Sequence, residues 1–314
     1  MPHISIVIPV YNSQENLKTC LDSILKQSFA DFEVIMIDDG SKDYSGKICD
    51  KYSKIDERFF AYHFENSGVA TARNRGMFLA KGDWITFIDS DDWIDPNYLN
   101  SMVNLLKKNP NSKCAINTKV SVNDNDYYME WKFDSDKRTL CDDDVRLLIS
   151  NKMPTSMWCY MFKKECLDGI LVDPDIHFFE DVDFLLRIFQ RGYECVLNAE
   201  GGYHYRQGSY THTKLTWKTV TAFTMVDKQA SRGMCAELCD YLEEKMILNV
   251  ATVGAVDGDY DKEINKVLKK RARDYIRKKS NRKKNIRNEI IIRIIAFSPK
   301  LYYFLSRVKN RDKK

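Results

Sequence analysis

Along the N-terminal third of the chain, short apolar runs alternate with segments in which apolar residues recur three and four positions apart. Residues 4–8 form a short β-branched run that Pro9 closes, which is typical of a strand buried on both faces of a parallel sheet. Residues 17–25 show the helical spacing, and Asn12 and Ser13 precede them as candidate caps. The chain is therefore predicted to begin with a strand followed by a helix.

The same alternation continues beyond the first helix. Strands separated by helices at this spacing predict an α/β fold, with a mostly parallel sheet and helices on both of its faces. The C-terminal third is predicted to be helical. The further predicted strands are residues 32–37, 59–64, 84–88 and two within 114–133; the further predicted helices are residues 45–54, one that stops at Gly82, 141–150, 178–192 with Gly192 as terminator, and several over 216–279.

Three polar loops follow predicted strands directly. Ligands of open parallel sheets bind beyond the carboxyl ends of the strands. The loops at residues 9–12, 38–41 and 89–92 all lie at such ends, so we expect them to converge on one crevice.

Charge is distributed unevenly along the chain. Residues 265–314 contain 19 Lys and Arg against three acidic residues, a net charge of +16, while the whole chain carries +4, so the first 264 residues carry −12. A basic C-terminal segment on an acidic body indicates contact with a polyanion such as a phospholipid surface or a nucleic acid.

The cysteines and the N-terminus indicate the cellular compartment in which the protein is expected to be located. The nine cysteines include no C-x-x-C pair, which favours free thiols in a reducing compartment over a disulfide framework. The N-terminus lacks the charged region and the long apolar run of a signal peptide, and no uninterrupted run of about 18 apolar residues occurs. We expect a cytosolic protein.

The loop after the fourth predicted strand concentrates three carboxylates, Asp89, Asp91 and Asp92. Carboxylates this close raise one another's pKa unless a cation lies among them. A solvated turn is the simplest interpretation, because aspartate favours turns. A calcium loop is excluded, since Trp93 occupies the fifth position and no glycine stands at the sixth.

Two chemical interpretations of this loop remain. One is a phosphohydrolase with a nucleophilic aspartate and an acid two residues later. The other is a Mg²⁺ or Mn²⁺ ion held by one or two carboxylates together with substrate phosphates, because both ions prefer oxygen ligands.

At this point the chain resembles the family 2 glycosyltransferases, whose nucleotide-sugar-binding domain has the GT-A fold. The resemblance covers about residues 3–205. It rests on four blocks in order: "SIVIPVYN" at 5–12, "VIMIDDGSKD" at 34–43, "NSGVATARNRGMFLAKGDWITFIDSDD" at 66–92 and "FFEDVDF" at 178–184. The segment "YHYRQGSYT" at 203–211 also looks like the one that closes such sites.

The resemblance implies a GT-A domain in the first part of the chain and a role for each matching residue, while the helical pattern and the basic charge divide the rest. Residues 1–212 would form the GT-A domain, 213–286 a helical C-terminal region and 287–314 a basic amphipathic tail. A divalent ion, Mn²⁺ or Mg²⁺, would be the cofactor. The donor-binding residues would be Pro9, Tyr11, Asn12, Asp38 or Asp39 at the uracil, Arg73, Asn74, Asp89 and Ser90; the metal ligands would be Asp91 and Asp89, with His204 as a further candidate.

The resemblance further implies a single displacement that inverts the anomeric carbon of a UDP-sugar. Asp181 would be the general base, with Glu180 able to exchange roles with it. Arg206 or Lys214 could bind diphosphate oxygens. Trp158 could form a wall of the acceptor site, although a buried core tryptophan is the ordinary role.

Each of these residues also has an ordinary structural role. Tyr11 could be packing, Asp38 a turn former, Arg73 a surface cation, Asp181 a favourable acid at a helix N-terminus and His204 a structural histidine. A nucleotide-sugar-binding protein without activity is the non-enzyme alternative, and the intact acidic residues argue against it.

Residues 287–314 interleave apolar and basic residues. Arg293, Lys300 and Arg307 interrupt the apolar positions and Pro299 divides them, which favours a helix lying on an anionic membrane over one that spans it. A docked surface helix is an alternative. Nucleic-acid binding is disfavoured because stacking motifs are absent. A membrane-bound enzyme would act on a glycan or lipid-linked acceptor of a bacterial surface polysaccharide such as a capsule.

Overall fold

The computed structural model describes residues 3–123, 128–206, 215–257, 261–278 and 286–311. The chain divides into two compact units, one of residues 1–174 and 181–209 and the other of residues 175–180 and 210–314. The strands are β1 Ile4–Val10, β2 Phe32–Asp38, β3 Phe59–His63, β4 Trp84–Phe87, β5 Trp93–Ile94, β6 Cys114–Asn117, β7 Lys119–Val122, β8 Tyr128–Glu130, β9 Lys137–Thr139, β10 Tyr160–Lys163, β11 Glu194–Asn198 and β12 Tyr203–Tyr205. The helices are α1 Leu17–Leu25, α2 Ser45–Ile55, α3 Val69–Leu79, α4 Tyr98–Lys108, α5 Asp142–Ile149, α6 Glu180–Phe189, α7 Trp217–Ser231, α8 Ala236–Asp257, α9 Lys262–Arg277, α10 Ile286–Phe297 and α11 Pro299–Arg311.

An eight-stranded sheet in the order β3-β2-β1-β4-β10-β6-β11-β9 forms the centre of the first unit. The pairs among β3, β2, β1 and β4 are all parallel, whereas β10 runs antiparallel between β4 and β6. Every residue of β1 and β2 is buried, as expected of central strands covered on both faces. The mixed, mostly parallel α/β sheet predicted from the sequence is confirmed.

A second, four-stranded sheet in the order β5-β12-β7-β8 was not anticipated. Its strand β12 pairs antiparallel with β5 and parallel with β7, so Tyr203 lies opposite Ile94 and His204 opposite Trp93. The short strand β5 comes directly after the acidic loop. This sheet therefore carries the "YHY" segment to the carboxyl end of β4.

Two local predictions about β1 and α1 differ from the structure. Pro9 lies inside β1, opposite Ile37 of β2, and does not end the strand. Helix α1 begins at Leu17 after Asn16, which is four residues later than a cap at Asn12 would place it and three later than a cap at Ser13 would. Asn12 has a positive φ of 49° and continues the loop.

Helix α3 packs closely on β1 because residue 76 is a glycine. A Cβ atom built at Gly76 would lie 2.2 Å from Cγ1 of Val7, which no folded chain accommodates without movement. The glycine in "ARNRG" is thus explained by packing.

The second unit is helical. Its helices α10 and α11 pack against α8 and α9, and Ile292, Ile295 and Tyr303 are buried. The hydroxyl of Tyr303 donates to Oδ1 of Asn265 on α9 at 2.8 Å. Part of the apolar surface of the predicted tail is therefore core. Across the described ranges, no helix has the length and apolar character needed to cross a bilayer.

Candidate active site

The loops after β1, β2 and β4 meet, as the strand order predicts. The backbone N–H of Asn12 donates to Oγ of Ser41 at 3.1 Å, and Oδ1 of Asn12 accepts from the N–H of Lys42 at 2.8 Å. The hydroxyls of Ser13 and Ser90 are hydrogen-bonded at 2.7 Å. These contacts join all three loops at the carboxyl edge of the sheet.

Asp38 and Asp39 are buried, and both carboxylates are held by protein groups. Oδ1 of Asp38 accepts from the N–H of Ser41 at 3.0 Å, and Oδ2 lies 2.8 Å from Nδ1 of His63. Asp39 accepts from the N–H groups of residues 67 and 68 and from Arg75 at 2.7–3.3 Å. Both side chains therefore organise the loops, and their contact with a uracil stays a prediction.

Arg73 joins two of the predicted site carboxylates. Its side chain is 5% exposed; NH1 donates to Oδ1 of Asp181 at 2.6 Å, and NH2 donates to Oδ1 of Asp89 at 3.2 Å. Oδ2 of Asp181 also accepts from the N–H of Met157 at 3.0 Å. One buried guanidinium thus connects the first turn of α6, which begins at the half-buried Glu180, to the acidic loop after β4.

Strand β12 and the residue after it, Arg206, form hydrogen bonds to the acidic loop. Tyr203 donates its hydroxyl to Oδ2 of Asp92 at 2.7 Å, and the N–H of Arg206 donates to Oδ1 at 2.8 Å. Asp92 is fully buried, and this burial, with Asp89 adding to it, raises its pKa to about 8. Burial also raises the pKa of Asp89 to about 6, against the opposing effect of Arg73. Both oxygens of Asp92 are therefore held by hydrogen bonds within the fold, and burial brings the pKa of both Asp89 and Asp92 close to neutrality.

The donor set at the end of β4 fits a hard divalent ion. Asp89 and the half-buried Asp91 offer carboxylate oxygens, while both oxygens of Asp92 are already hydrogen-bonded. Mg²⁺ and Mn²⁺ commonly take one or two carboxylates and complete their coordination with phosphates and water. Within the described part of the chain no three His, Cys, Asp or Glu side chains are grouped as a metal site.

His204 and Arg206 both contact Trp93. The imidazole of His204 stacks on the indole at 5.1 Å between ring centroids, and its Nε2 lies 2.9 Å from Oδ1 of Asp95. The guanidinium of Arg206 lies 4.8 Å from the same indole, and its Nε donates to the carbonyl of Asp91 at 3.0 Å. Arg206 therefore reaches the acidic loop, whereas the imidazole of His204 contacts Trp93 and Asp95. Its role as a metal ligand stays a prediction. Lys214 lies outside the described residues.

The remaining predicted residues fall into two groups. Tyr11 is 43% exposed just beyond β1, where a planar ligand could stack on it. Pro9 is buried within the strand, and the amide of Asn74 bonds to both backbone groups of Val172 at 2.8 Å. Trp158 is 4% exposed and stacks on Tyr203 at 4.5 Å between ring centroids. The roles assigned to these residues from the sequence stay predictions.

Sequence reasoning missed His63, Tyr203 and Met157. The signal for Tyr203 was present, because "YHYR" follows a glycine pair and alternates large side chains as a strand does. His63 and the backbone of Met157 carry no local signal, since each acquires its partner from a distant part of the chain.

Comparison with known proteins identifies the family and the fold. The sequence model described as Glycosyl transferase family 2 matches residues 5–169. An uncharacterized glycosyltransferase of Bacillus subtilis (strain 168), EpsJ, is 29% identical over 224 residues, which are 69% of this chain and 65% of the relative. The chain thus matches just under two thirds of the length of that relative.

Solved structures show the same fold. TarS 1–349 of S. aureus in complex with UDP-GlcNAc superposes with a TM-score of 0.73 at 17% identity, covering 100% of this chain and 93% of TarS. The mannosyltransferase PcManGT of Pyrobaculum calidifontis, in complex with GDP-Man and Mn²⁺, gives a TM-score of 0.54 at 17% identity, with 100% and 88% covered. At this identity the likeness shows the fold, which is the predicted GT-A fold. Because the family model covers more than half of its residues, this chain belongs to glycosyl transferase family 2.

Proposed function

We propose that this protein transfers a sugar from a UDP-sugar to a hydroxyl of a glycan or lipid-linked acceptor, with inversion at the anomeric carbon. The observation that carries the proposal is the Arg73 bridge, with contacts of 2.6 and 3.2 Å to Asp181 and Asp89. The guanidinium of Arg73 contacts both Asp181, which is the candidate base, and Asp89, which lies in the loop that would receive the donor diphosphate. The UDP-GlcNAc bound by TarS and the GDP-Man bound by PcManGT support a nucleotide-sugar donor.

Asp181 is suited to be the base in this reaction. The acceptor oxygen would attack the anomeric carbon, the bond from that carbon to the diphosphate would break, and the acceptor proton would pass to Asp181. Arg73 and the N–H of Met157 both donate hydrogen bonds to this carboxylate. Both donors also fix its orientation.

Asp89 and Asp91 would hold the divalent ion, Mn²⁺ or Mg²⁺. When bound, such an ion neutralises the charge that builds on the departing diphosphate. The Mn²⁺ in the PcManGT structure supports a divalent ion as the cofactor. Arg206, which reaches the carbonyl of Asp91 at 3.0 Å, would add a second positive charge on the same side.

Donor turnover tests the function. A screen of UDP-sugars with Mn²⁺ should show release of UDP for one sugar, whereas the alternative phosphohydrolase would release free phosphate. Asp181→Asn should lower transfer at least 100-fold, since general-base catalysis contributes about 10²–10⁴, and should leave UDP affinity within about threefold. The exposed Asp175→Asn is the matched control and should behave as wild type. Near-normal transfer by Asp181→Asn would remove the base from this position.

A second test separates the enzyme from a non-catalytic binding protein. Asp91→Ala should lose Mn²⁺-dependent UDP binding in calorimetry. A protein that binds UDP-sugars tightly yet releases no UDP with any acceptor fraction would contradict transfer.

We further propose that the helical unit contacts an anionic membrane from the cytoplasmic side, which would present a lipid-linked acceptor of surface-polysaccharide synthesis, as for a capsule. We assign this contact to helix α9 and not to the tail of residues 287–314. Its basic face, defined as Lys266, Lys269, Lys270, Arg273 and Arg277, lines a shallow groove of 340 Å³ together with Asp274. All but Lys269 of these five are exposed.

An exposed apolar side chain lies next to this basic face. Nε of Arg273 donates to the carbonyl of Ala296 at 3.1 Å, and the following residue, Phe297, is 73% exposed. Cations beside a protruding aromatic ring suit a surface of anionic headgroups over acyl chains. Each cation contributes about 1 kcal/mol near such a surface.

Sedimentation with vesicles tests this contact. A variant with Lys266, Lys270 and Arg277 changed to glutamate should bind vesicles containing phosphatidylserine at least tenfold more weakly. The control changes three exposed lysines of the first unit, Lys51, Lys54 and Lys107, to glutamate and so alters net charge equally. Equal losses in both variants, or none in either, would contradict a specific role for α9.

A further inference from the structure

A histidine at the end of β3 bridges two carboxylates from different elements. Nδ1 of His63 lies 2.8 Å from Oδ2 of Asp38, and Nε2 lies 3.0 Å from Oδ1 of Asp50 on α2. The parallel pairing of β2 with β3 sets Asp38 directly opposite His63. The bridge is therefore built by the sheet register and by the helix that follows β2.

The first turn of α2 packs closely against the bridge. Gly46, in the first turn of α2, is the residue that faces it. A Cβ atom at this position would lie 2.8 Å from Oδ2 of Asp38 and 3.5 Å from the imidazole. Only a glycine lets the N-terminal turn of the helix approach the carboxylate this closely.

Only the doubly protonated imidazole satisfies both contacts. An imidazolium has two N–H donors, whereas a neutral ring has one donor and one acceptor. A neutral His63 would therefore direct a lone pair at one carboxylate. The hydrogen bond to Asp38, reinforced by that to Asp50, raises the pKa of His63 above its ordinary value against the opposing effect of partial burial.

The titratable groups around His63 come from two elements. Asp38 faces it from β2, and Asp50 faces it from α2. The thiol of Cys49, also on α2, interacts with both carboxylates, but burial raises its pKa to about 12 and it stays neutral at physiological pH. Loss of the His63 proton is therefore the change that alters the charge of this group near neutrality.

The bridge is connected to the nucleotide end of the site through Asp38. The second oxygen of that carboxylate holds the N–H of Ser41 at 3.0 Å. Ser41 and its neighbour Lys42 in turn hold Asn12, at 3.1 and 2.8 Å. A carboxylate whose Oδ2 is fixed by an imidazolium presents Oδ1 to this loop in one orientation.

We propose that His63 is a positioning residue for nucleotide binding, whose protonated ring orders the loop of residues 38–42 by clamping Asp38 between β3 and α2. The inference rests on the proposed nucleotide-sugar donor for its effect on binding. Uridine affinity should weaken as the pH rises and His63 loses its proton. One net hydrogen bond alters an equilibrium constant by a factor of roughly 2–10, so we expect about a threefold change.

Two measurements on the full chain test the proposal. Nuclear magnetic resonance of the imidazole nitrogens gives the titration midpoint of His63, and the amide resonance of Ser41 should shift with that same midpoint. In Asp50→Asn the midpoint should fall, because a neutral amide can serve either ring form. In His63→Gln the Ser41 shift should disappear from this pH range, while His177→Gln, at an exposed histidine, should leave it unchanged.

Uridine titration without metal, on the same samples, measures the consequence and avoids the protonation of Asp89. The wild-type dissociation constant should rise about threefold between pH 6 and 8.5, and that of His63→Gln should stay flat. The positioning role is overturned if the amide resonance of Ser41 does not shift with the titration midpoint of His63. It is also overturned if both proteins show the same dependence of uridine affinity on pH. If neither uridine nor UDP binds at any pH, the proposed donor fails, and the Ser41 titration still decides whether His63 orders the loop.

Discussion

Replacing Arg73 by methionine removes a cation that donates to both Asp89 and Asp181 while keeping a side chain of similar length. Arg73 is 5% exposed, whereas the two carboxylates are 28% and 17% exposed. The substitution therefore leaves two largely buried negative charges beside each other. Removing one partner of a buried ion pair costs about 3–5 kcal/mol. Because water still reaches both carboxylates, we expect about 3 kcal/mol.

The pKa of Asp89 gives the pH dependence of this loss. A pKa of about 6 in place of 3.8 means that the fold disfavours the ionised form even with Arg73 present. Without Arg73 this pKa should rise further. A carboxyl whose pKa is raised by folding destabilises the fold above that pKa, and the penalty disappears as the pH falls toward the unfolded value. The loss in Arg73→Met should therefore be full at pH 7.5 and smaller at pH 5.

Urea unfolding followed by tryptophan fluorescence measures this effect. Four of the five tryptophans, residues 84, 93, 131 and 158, belong to the first unit, so the signal reports mainly on that unit. The control Lys18→Met removes an exposed cation that pairs with Asp22 and should cost under about 1 kcal/mol. A loss below about 1 kcal/mol in Arg73→Met, or a loss equal at both pH values, would refute the account of the bridge.

Three further changes test other parts of the structure. Mn²⁺-dependent UDP affinity should fall as the pH drops below about 6, because protonated Asp89 cannot bind a metal; calorimetry between pH 5 and 7.5 checks this, and unchanged affinity would contradict it. Gly76→Ala should lower the free energy of unfolding by about 2 kcal/mol through overpacking, and Val7→Ala in the same chain should restore part of it. Tyr203→Phe leaves an oxygen of buried Asp92 without its 2.7 Å donor and should cost about 1–3 kcal/mol in the same urea assay; a neutral substitution would show that water replaces the hydroxyl.

The parallel half of the sheet could be predicted because its pattern is local. The apolar runs of β1 and β2 are buried along their whole length, and the polar residues that follow them fall at the carboxyl edge for that reason. The later strands are short, and their order depends on partners far away in the chain. Strand β10 enters between β4 and β6 in the antiparallel direction, which no run of residues near 160 indicates.

The sequence by itself determined the α/β class, the three converging loops and the acidic residues at the end of β4. These features could be predicted because the periodicity of buried positions and the composition of turns depend on residues that are close together in the chain. Only the tertiary structure decided which groups each carboxylate contacts. Asp181 meets Arg73 across 108 positions of the chain, and Asp92 meets Tyr203 across 111. A side chain's protonation and its availability to a ligand follow from the charges and donors that folding brings within about 3 Å of it, and those neighbours have no fixed spacing in the sequence.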